Sequence, residues 1–473
     1  MTDPGHKAAL RAMLGARGWT DDPVVMAPWL TDWRGTHSGA AFAMASPAST
    51  QEVADVVRYC AAQRIAIVPQ GGNSGMVAGA TPDATGDSLL LSLRRMAAIG
   101  TGRIASGLVE VGAGVILQNL HEAMTDYGWR FPLTLGGKGS ATVGGLISTN
   151  AGGTQVLRHG TMRALVAGVE AVLPDGRIFT DMAALAKDNR GYAIRDLFVG
   201  AEGTLGIVTR ATLRLAPAIL DRSVAWVGLD SLDDARTLLL ECQRGSNQQL
   251  EGFEVLPHDA LDHVVAHIDG VRSPLAEPYS WYALVEFVRD SDTLPPSEQL
   301  AHRILSEAVN SGLARDVAMA ASEAQAEAMW RIRDSISEAE RAHGPAVQHD
   351  VSVPVDRMTE FVDEATARIE RNFAGTNCMA FGHLGDGNVH FHVRAPDRLA
   401  ESQWSELNPE ISVLVYDIVD EYQGSMAAEH GIGRSKHDLL PTHIDAVRLD
   451  LMRAIKRTID PDGLMNPGAL VDP

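Results

Sequence analysis

The stretch "PQGGNSGMVAG", from Pro69 to Gly79, follows a predicted buried strand and contains four glycines. Each glycine costs conformational entropy, so this density indicates that the backbone approaches something closely. By itself the stretch could also form a tight turn. It lacks the G-x-G-x-x-G spacing and the acidic residue expected of a Rossmann ribose site, so it does not match that dinucleotide fingerprint.

A second stretch of the same character is "LGGKGSATVGGLISTNAGG", from Leu135 to Gly153. Consecutive backbone N–H groups in such loops can form a concave nest that suits a pyrophosphate. This stretch also offers the hydroxyls of Ser140, Thr142, Ser148 and Thr149. Two such loops in one predicted domain favour a large phosphate-bearing cofactor over two chance turns.

The length and charge of the chain limit its organisation and its partners. With 473 residues, two or three domains are expected. The formal net charge of -20, without a basic stripe, argues against nucleic acid and anionic membrane surfaces as partners. An anionic substrate would therefore need a local positive site.

The cysteines and the N-terminus predict a location. Three widely separated cysteines argue against a disulfide framework and fit a reducing compartment. The start "MTDPGHKAALRAML" has no apolar signal region, and no apolar run reaches spanning length. We therefore expect a cytoplasmic protein that is not integral to a membrane.

The predicted secondary structure changes character near Ala216. Before it, a helix capped by Ser49 or Thr50 leads into short buried runs separated by glycine loops. After it, strands alternate with helices, and residues 317–343 are predicted to form one long amphipathic helix. This alternation predicts an α+β fold with an antiparallel sheet and helices on one face.

A histidine-rich stretch, "FGHLGDGNVHFHV", runs from Phe381 to Val393. Its Asp-Gly pair is a strong two-residue hairpin signal, which would place His383 directly opposite His390. Opposed residues have Cβ atoms roughly 5 Å apart, so the two imidazoles could share an ion. Hairpin histidines that bond to carboxylates are the alternative. Glu429 and His430 in "AAEHGIGRSK" add the side chains that zinc or a similar metal prefers.

Taken together, these motifs resemble the FAD-binding oxidases and dehydrogenases of the vanillyl-alcohol-oxidase type. The resemblance covers nearly the full length and is closest to the D-2-hydroxyglutarate and D-lactate dehydrogenase branch. Its further elements are "VLRHGTMR", "VLPDGR", "FVGAEGTLGIVT" and "LMNPGAL". It implies a PCMH-type two-subdomain FAD-binding domain at 1–216, an antiparallel-sheet-and-helix substrate (cap) domain at 217–425, and a C-terminal helical segment at 426–473 that completes the flavin site.

The resemblance also implies which residues contact FAD. They lie in three glycine-rich loops and the C-terminal tail: Pro69, Gly71, Gly72, Asn73, Ser74, Gly75, Gly79, Leu135, Gly139, Ser140, Gly144, Gly145, Ser148, Asn150, Gly152, Gly153, Glu202, Gly203, Gly206, Ile207 and Asn466. The first loop carries Asn73 where a covalent link would need His or Cys, so non-covalent FAD is expected. His159 is the only nearby candidate for such a link.

The resemblance assigns roles to the remaining polar residues. A divalent metal, zinc first, would be bound by His383, His390 and Glu429, which leave coordination positions open. His430 would be the base that takes the substrate hydroxyl proton, or alternatively a further metal ligand. Arg333 would hold the substrate carboxylate, and Ser337, one helical turn later, could add a hydroxyl.

Two positions depart from the pattern of relatives that act on 2-hydroxyglutarate. Gln348 stands where they carry a lysine, and His392 stands where they carry an asparagine. One partner for a second substrate carboxylate is therefore missing, although His392 or His349 could replace it. A D-2-hydroxy acid remains the expected substrate, with 2-hydroxyglutarate first and D-lactate or another D-2-hydroxy acid next.

The expected function is an FAD- and metal-dependent dehydrogenase that passes a hydride from the substrate to flavin N5. Its electron acceptor would be an electron-transfer flavoprotein or a quinone pathway. The oligomeric state stays open, with a homodimer as the candidate. Two alternatives remain. One is a metal-dependent hydrolase whose glycine loops are structural, and the other is a non-catalytic flavin subunit of a glycolate-oxidase-like complex.

Overall fold

The computed structural model describes residues 4–396, 399 and 401–473, which form eighteen β-strands and fifteen α-helices. The strands, β1 to β18 in chain order, are Trp19–Thr20, Ala43–Ala45, Ile67–Gln70, Leu89–Ser92, Ile99–Gly100, Leu108–Gly112, Trp129–Arg130, Val166–Val172, Ile178–Asp181, Ile207–Arg214, Ala216–Pro217, Asp221–Leu229, Leu250–Pro257, Trp281–Arg289, Asp316–Met319, Ala346–Ser352, Asn377–His383 and Asn388–Arg394. The helices, α1 to α15, are Pro4–Leu14, Pro23–Met26, Thr50–Gln63, Leu117–Thr125, Val143–Ser148, Val156–His159, Met162–Leu165, Leu232–Gly245, His258–His267, Ser297–Asn310, Glu323–Asp334, Ile336–His343, Met358–Asn372, Glu401–Glu421 and Ala446–Ile459.

The described residues divide into two compact units. The first unit contains the residues up to Gly153 together with His159–Ala218 and His430–Pro473. The second unit contains Thr154–Arg158 and Ile219–Glu429. Each unit has its own clusters of buried apolar side chains. Within the described residues, every helix is too short or too polar to span a bilayer.

The first unit is built on two larger sheets and a two-stranded ribbon. One sheet has the order β1-β2-β4-β3 with parallel pairs among β2, β4 and β3, and the other has the antiparallel order β5-β6-β10-β8-β9. Helix α3 begins after Ser49, whose Oγ accepts the N–H of Glu52 at 3.2 Å, so the predicted cap is confirmed. Val53 and Val57 of α3 are buried with side chains of both sheets.

The second unit is a seven-stranded antiparallel sheet in the order β15-β12-β14-β13-β17-β18-β16, and the predicted α+β class is confirmed. Apolar side chains of its central strands, such as Trp226 and Phe381, form one buried cluster with Leu261 of α9, Ile332 of α11 and Ile336 of α12. These helices therefore cover one face of the sheet. His383 lies two residues after Phe381 in β17, and His390 is the cross-strand partner of Phe381. Both histidines therefore lie on that covered face.

The hairpin between β17 and β18 has a longer loop than the two-residue turn that the sequence predicts. His383 pairs with Asn388, and His390 pairs with Phe381, so the predicted pairing of His383 with His390 is wrong. Leu384 is buried, and the N–H groups of Asp386 and Gly387 both reach the carbonyl of His383, at 3.3 and 3.2 Å. The register therefore differs from the prediction by two residues. Because side chains alternate with period two, both histidines still lie on one face.

The single helix predicted over 317–343 is also wrong. Residues 316–319 form the edge strand β15, and the rest forms two helices, α11 and α12, that meet at Ser335. The carbonyls of Arg331 and Arg333 accept the N–H of Ser335, which closes α11 at that residue. Arg333 and Ser337 consequently lie on different helices, and Ser337 is exposed.

Candidate functional site

The two predicted glycine loops of the first unit lie directly against each other. A Cβ atom added at Gly72 would lie 1.8 Å from the carbonyl oxygen of Ser140. One added at Gly71 would lie 2.2 Å from Oγ1 of Thr142. No side chain fits at either position, so the close approach predicted from the glycine density is an approach of one loop to the other.

The same loops also border open space. A Cβ atom at Gly75 or at Gly136 would meet no atom within 4 Å. Asn73 adopts a φ of 52°, and its Nδ2 donates to the carbonyl of Thr31 at 2.8 Å. The loop is therefore held by its own side chain while its glycine edge stays uncovered. An uncovered glycine edge of this kind suits the phosphate end of a large cofactor.

A third predicted loop, Glu202–Ile207, is joined to the first loop through the C-terminal tail. Nδ2 of Asn466 donates to the carbonyls of Gly79 and Glu202, both at 2.8 Å. Gly203 has a φ of 73°, and a Cβ atom there would lie 2.5 Å from Cγ of Pro69. Asn466 thus ties the tail to the first and third loops.

The remaining residues predicted to contact FAD belong to the same unit. Leu135, Gly139 and Ser140 lie on the outer part of the second loop, while Gly144, Gly152 and Gly153 are buried. Several of the polar side chains are used within the protein. Oγ of Ser148 donates to the carbonyl of Gly144, and Oδ1 of Asn150 accepts the N–H of Arg163. Nε2 of His159 lies 3.3 Å from Nη2 of Arg130.

In the second unit, His383, His390 and Glu429 come together on the covered side of the sheet. One potential ligand atom from each lies within 4.8 Å of the others. Nε2 of His383 is 3.7 Å from Oε1 of Glu429. Two imidazoles and one carboxylate at this spacing form a donor set that fits a divalent ion such as zinc and leaves positions open for a small molecule.

Glu254 orients this group, and sequence reasoning missed it. It is buried in β13 directly opposite His383, and its Oε1 lies 2.5 Å from Nδ1 of that histidine. Its Oε2 accepts Nε of Arg333 at 2.8 Å. A carboxylate that accepts a hydrogen bond from Nδ1 fixes the tautomer of the histidine and leaves Nε2 for a metal.

Asp350 supports the other two members of the trio. Its Oδ1 lies 3.7 Å from Nδ1 of His390 and accepts Nδ2 of Asn388 at 2.9 Å. Its Oδ2 accepts the backbone N–H of Glu429 at 2.9 Å. A single buried carboxylate therefore sets the position of Glu429 and faces one ring nitrogen of His390.

The protonation of the trio follows from burial and charge. Burial alone would lower the pKa of His383, but the Glu254 carboxylate outweighs it and raises this pKa to about 9. Burial, helped by the positive charge of Arg333, holds the pKa of His390 well below its usual value. Burial also raises the pKa of Glu429 to about 7. Without a bound cation, the pocket thus retains protons that a metal would displace.

Arg333 lies beside the trio with part of its guanidinium uncommitted. Its Nε is bonded to Glu254, and its Cζ lies 5.2 Å from the ring centre of Phe381. Within the described part of the chain, its two Nη groups have no hydrogen-bond partner. They are therefore available to an anionic group such as a carboxylate.

Gln348 and His392 are direct partners across β16 and β18, two pairs beyond Asp350 and His390 and therefore on the same face of the sheet. Nδ1 of His392 is hydrogen-bonded to Oε2 of Glu340, a buried carboxylate on α12. His349 lies on the opposite face, where its ring nitrogens contact the carbonyl of Phe391 and the hydroxyl of Ser412. His349 therefore does not accompany Gln348 and His392.

His430 directly follows Glu429 and is the first residue of the C-terminal part of the first unit. The backbone N–H groups of Ile432 and Gly433 donate to the two carboxylate oxygens of Glu202, at 2.8 and 2.7 Å. The side chain of Glu202, predicted to contact FAD, is thus used by the loop that follows His430.

The residues that sequence reasoning missed share one signal. Glu254 and Glu340 are acidic residues within otherwise apolar faces of a strand and a helix, and Asp350 lies within the short buried part of β16. A buried carboxylate needs a partner, so such positions could have been marked as polar sites. Their partners, however, are 129, 52 and 79 residues away in sequence.

Comparison with known protein families places both parts of the chain. The model of the FAD binding domain matches residues 42–181, and that of the FAD linked oxidases, C-terminal domain, matches residues 221–470. Curated relatives include D-2-hydroxyglutarate dehydrogenases. The mitochondrial one of Arabidopsis thaliana is 35% identical over 97% of this chain and 80% of its own length. That of Xanthomonas citri pv. viticola is 34% identical over 100% and 98%.

Solved structures with the same fold are more distant in sequence. Alkyldihydroxyacetonephosphate synthase is 16% identical with a TM-score of 0.75 and covers 99% of this chain and 86% of its own. p-Cresol methylhydroxylase is 15% identical with a TM-score of 0.76, covering 99% and 97%. At this identity the likeness concerns the fold, and it confirms the predicted PCMH-type architecture.

Proposed function

This chain belongs to the family of FAD-linked oxidases, and we propose that it is an FAD-dependent dehydrogenase that oxidises a D-2-hydroxy acid to the 2-oxo acid. The observation that carries the proposal is the trio His383, His390 and Glu429, with Glu254 behind it and Arg333 beside it. An α-hydroxy acid has a hydroxyl and a carboxylate on neighbouring carbons. A metal trio next to an uncommitted guanidinium offers partners for both groups.

Arg333 and the trio would bind the substrate together. The planar guanidinium favours a two-point contact with the substrate carboxylate through its Nη groups. Glu254 bonds to both Arg333 and His383, so one buried carboxylate would set the spacing between the carboxylate and hydroxyl positions. A divalent ion, zinc first, would when bound lower the pKa of the substrate hydroxyl and hold it in place.

His430 would take the hydroxyl proton. It adjoins Glu429 in the chain, so the position of one constrains the other. A neutral imidazole near pH 7 can accept a proton from an activated hydroxyl. FAD, bound non-covalently in the first unit, would supply the hydride acceptor at N5.

The substrate class has two kinds of support. Relatives at 34–35% identity are named D-2-hydroxyglutarate dehydrogenases. Next to the trio, however, the Gln348–His392 pair carries no lysine, and His392 is already paired with the buried Glu340. We therefore propose 2-hydroxyglutarate as the first substrate to test, with D-lactate and other D-2-hydroxy acids next.

The two units would have different roles. We assign FAD binding to the first unit, including its C-terminal residues 430–473, and substrate and metal binding to the second. An electron-transfer flavoprotein or a quinone pathway would reoxidise the flavin. Cys60, Cys242 and Cys378 are all free, which supports a reducing compartment such as the cytoplasm.

The test is anaerobic bleaching of the purified, FAD-loaded protein by a panel of D- and L-2-hydroxy acids. We expect loss of flavin absorption with at least one D-acid, and with 2-hydroxyglutarate before D-lactate. Bleaching by no D-acid would reject the reaction, and bleaching by L-acids alone would reverse the stereochemistry. Removal of metal by a chelator should stop bleaching, and a metal-free enzyme with full activity would remove the metal from the mechanism.

One variant tests the role of the base, and two observations on the unmodified protein separate the proposal from its alternatives. His430→Ala should slow bleaching by about 10²–10⁴-fold while FAD stays bound, because it removes the base. Retained turnover would contradict that role. A colourless protein that hydrolyses a substrate when given zinc would instead favour the metal-dependent hydrolase. A flavin-loaded protein that no hydroxy acid reduces would favour the non-catalytic subunit.

A further inference from the structure

Glu202 is an unusual residue in the first unit because a buried carboxylate and a left-handed backbone coincide there. Its φ is 50°, a region that non-glycine residues seldom occupy, and it is only 8% exposed. Such a conformation persists only where surrounding contacts hold it, and it is often found at functional sites. The contacts of Glu202 therefore indicate what the conformation serves.

The backbone of Glu202 is fixed on both sides. Its N–H donates to the carbonyl of Ser148 at 2.8 Å, and its carbonyl accepts Nδ2 of Asn466 at 2.8 Å. The next residue, Gly203, packs against the ring of Pro69. The side chain of Glu202 consequently projects from a rigid base that the second loop and the C-terminal tail share.

That side chain holds the loop that follows His430. Its Oε1 accepts the N–H of Ile432 and its Oε2 accepts the N–H of Gly433. A Cβ atom at Gly431 would lie 2.7 Å from Oε1, so the carboxylate also lies against the residue directly after His430. Both oxygens of one buried carboxylate are thus used to fix the three residues after His430.

We propose that Glu202 is a positioning residue that acts through His430, an inference that rests on the proposed role of His430 as the base. The carboxylate would set the direction in which the loop presents the imidazole to the substrate hydroxyl. Proton transfer requires the base within hydrogen-bond reach, and a misplacement of about 1 Å can cost about 10²-fold in rate. Glu202 is thereby reassigned from a direct flavin contact to a support of the proton acceptor.

The experiment compares Glu202→Gln with wild-type FAD-loaded enzyme. The amide keeps one acceptor oxygen but turns an NH₂ group toward a backbone N–H, so one of the two contacts is lost. We expect the rate of anaerobic flavin reduction by D-2-hydroxyglutarate to fall by about 10- to 100-fold. The Glu202→Gln variant should keep the substrate concentration at half-maximal rate and the FAD content within about twofold of wild type. Its flavin absorption spectrum should be unchanged.

The matched control is Glu170→Gln. Glu170 is a partly buried acid of the same unit that bonds to the hydroxyls of Thr50 and Thr209. Its replacement should leave the reduction rate within about twofold. Equal losses in both variants would mean a general structural effect and would overturn the inference, as would FAD loss in Glu202→Gln that matches its rate loss.

A double variant identifies the route of the effect. Since the inference has Glu202 act through His430, Glu202→Gln should cause no further loss in a His430→Ala background. If the two losses multiply instead, Glu202 acts independently of His430 and the inference is wrong. The inference is supported if the double variant is no slower than His430→Ala alone.

Hydrogen exchange tests the loop without any substrate. In Glu202→Gln, the amides of Ile432 and Gly433 should exchange faster than in wild type. In Glu170→Gln, the same two amides should exchange at the wild-type rate. If no D-acid reduces the wild-type flavin, the proposed reaction fails and exchange alone decides whether Glu202 holds this loop. Unchanged exchange at both amides would overturn the inference.

Discussion

The candidate flavin site of the first unit is made of backbone, whereas the candidate metal site of the second unit is made of side chains. In the first unit, Gly71 and Gly72 allow one loop to lie against Ser140 and Thr142 of another. In the second unit, His383, His390 and Glu429 meet above a sheet whose strands come from distant parts of the chain. The first site therefore depends on local glycine content, whereas the second depends on how distant strands pair.

A backbone site depends on the absence of side chains, and glycine density records that absence directly. A side-chain site depends on which residues a sheet brings to the same face. Glu254 shows the difference, because only the pairing of β13 with β17 places it opposite His383. Variants can test each half of this contrast.

The largest expected effect is in the backbone site. Gly72→Ala would place a Cβ atom 1.8 Å from a backbone oxygen, so we expect a loss of at least about 3 kcal/mol in the free energy of unfolding, with loss of FAD. Gly102→Ala, which faces open space, should match wild type. Urea unfolding and the FAD content measure both. A stable, FAD-loaded Gly72→Ala protein would show that the loops do not need this approach.

Gly75→Ala sharpens the same test, since its Cβ atom would meet no protein atom within 4 Å. It should leave the free energy of unfolding unchanged and weaken FAD binding alone.

His383→Ala should have the next largest effect. Removal of a direct ligand should weaken metal binding by more than the roughly 10–100-fold expected for a supporting residue, and flavin reduction should fall with it. His349→Gln, a change at a buried histidine on the other face of the sheet, should keep the metal. Metal content after dialysis distinguishes the two variants. Equal metal loss in both would argue against the trio.

Glu254→Gln should be milder. It keeps a hydrogen-bonding group opposite His383 but removes the charge that orients the imidazole, so metal affinity should fall about 10–100-fold. Its contact with Arg333 also weakens, so the substrate concentration at half-maximal rate should rise. An unchanged metal affinity would make Glu254 a purely structural residue.

The smallest effect for each step of change is the pH dependence of metal binding. In the metal-free protein the pKa of His383 is raised to about 9, so its imidazole is protonated below that pH and the proton competes with the metal. Affinity should therefore rise about tenfold per pH unit from 7 to 9 and level off above. The dependence should be steeper below 7, where Glu429 also holds a proton.

Competition with a chromophoric chelator measures this slope. Glu254→Gln removes the carboxylate that raises the pKa of His383, so the slope between pH 7 and 9 should flatten in that variant. A flat wild-type profile would mean that His383 is not a ligand.

The errors of sequence reasoning in the second unit have physical causes. The Asp-Gly pair predicted a two-residue turn, but Leu384 is buried and Gly385 packs against Leu157, so the loop takes four residues. The prediction that both histidines share a face survived, since a shift of two residues preserves the side of the sheet. The break at Ser335 had no breaker residue in the sequence to mark it.

The sequence by itself indicated a large phosphate-bearing cofactor, which the family resemblance specified as FAD, and a histidine-rich hairpin, because glycine density and side-chain alternation are local properties of the chain. Only the tertiary structure decided that Glu254 orients His383 and Arg333, that Asp350 holds Glu429, and that Glu202 supports the loop after His430. Each of these contacts joins residues 79 to 230 positions apart. Such pairings follow from strand order and loop packing, which no short stretch of sequence encodes.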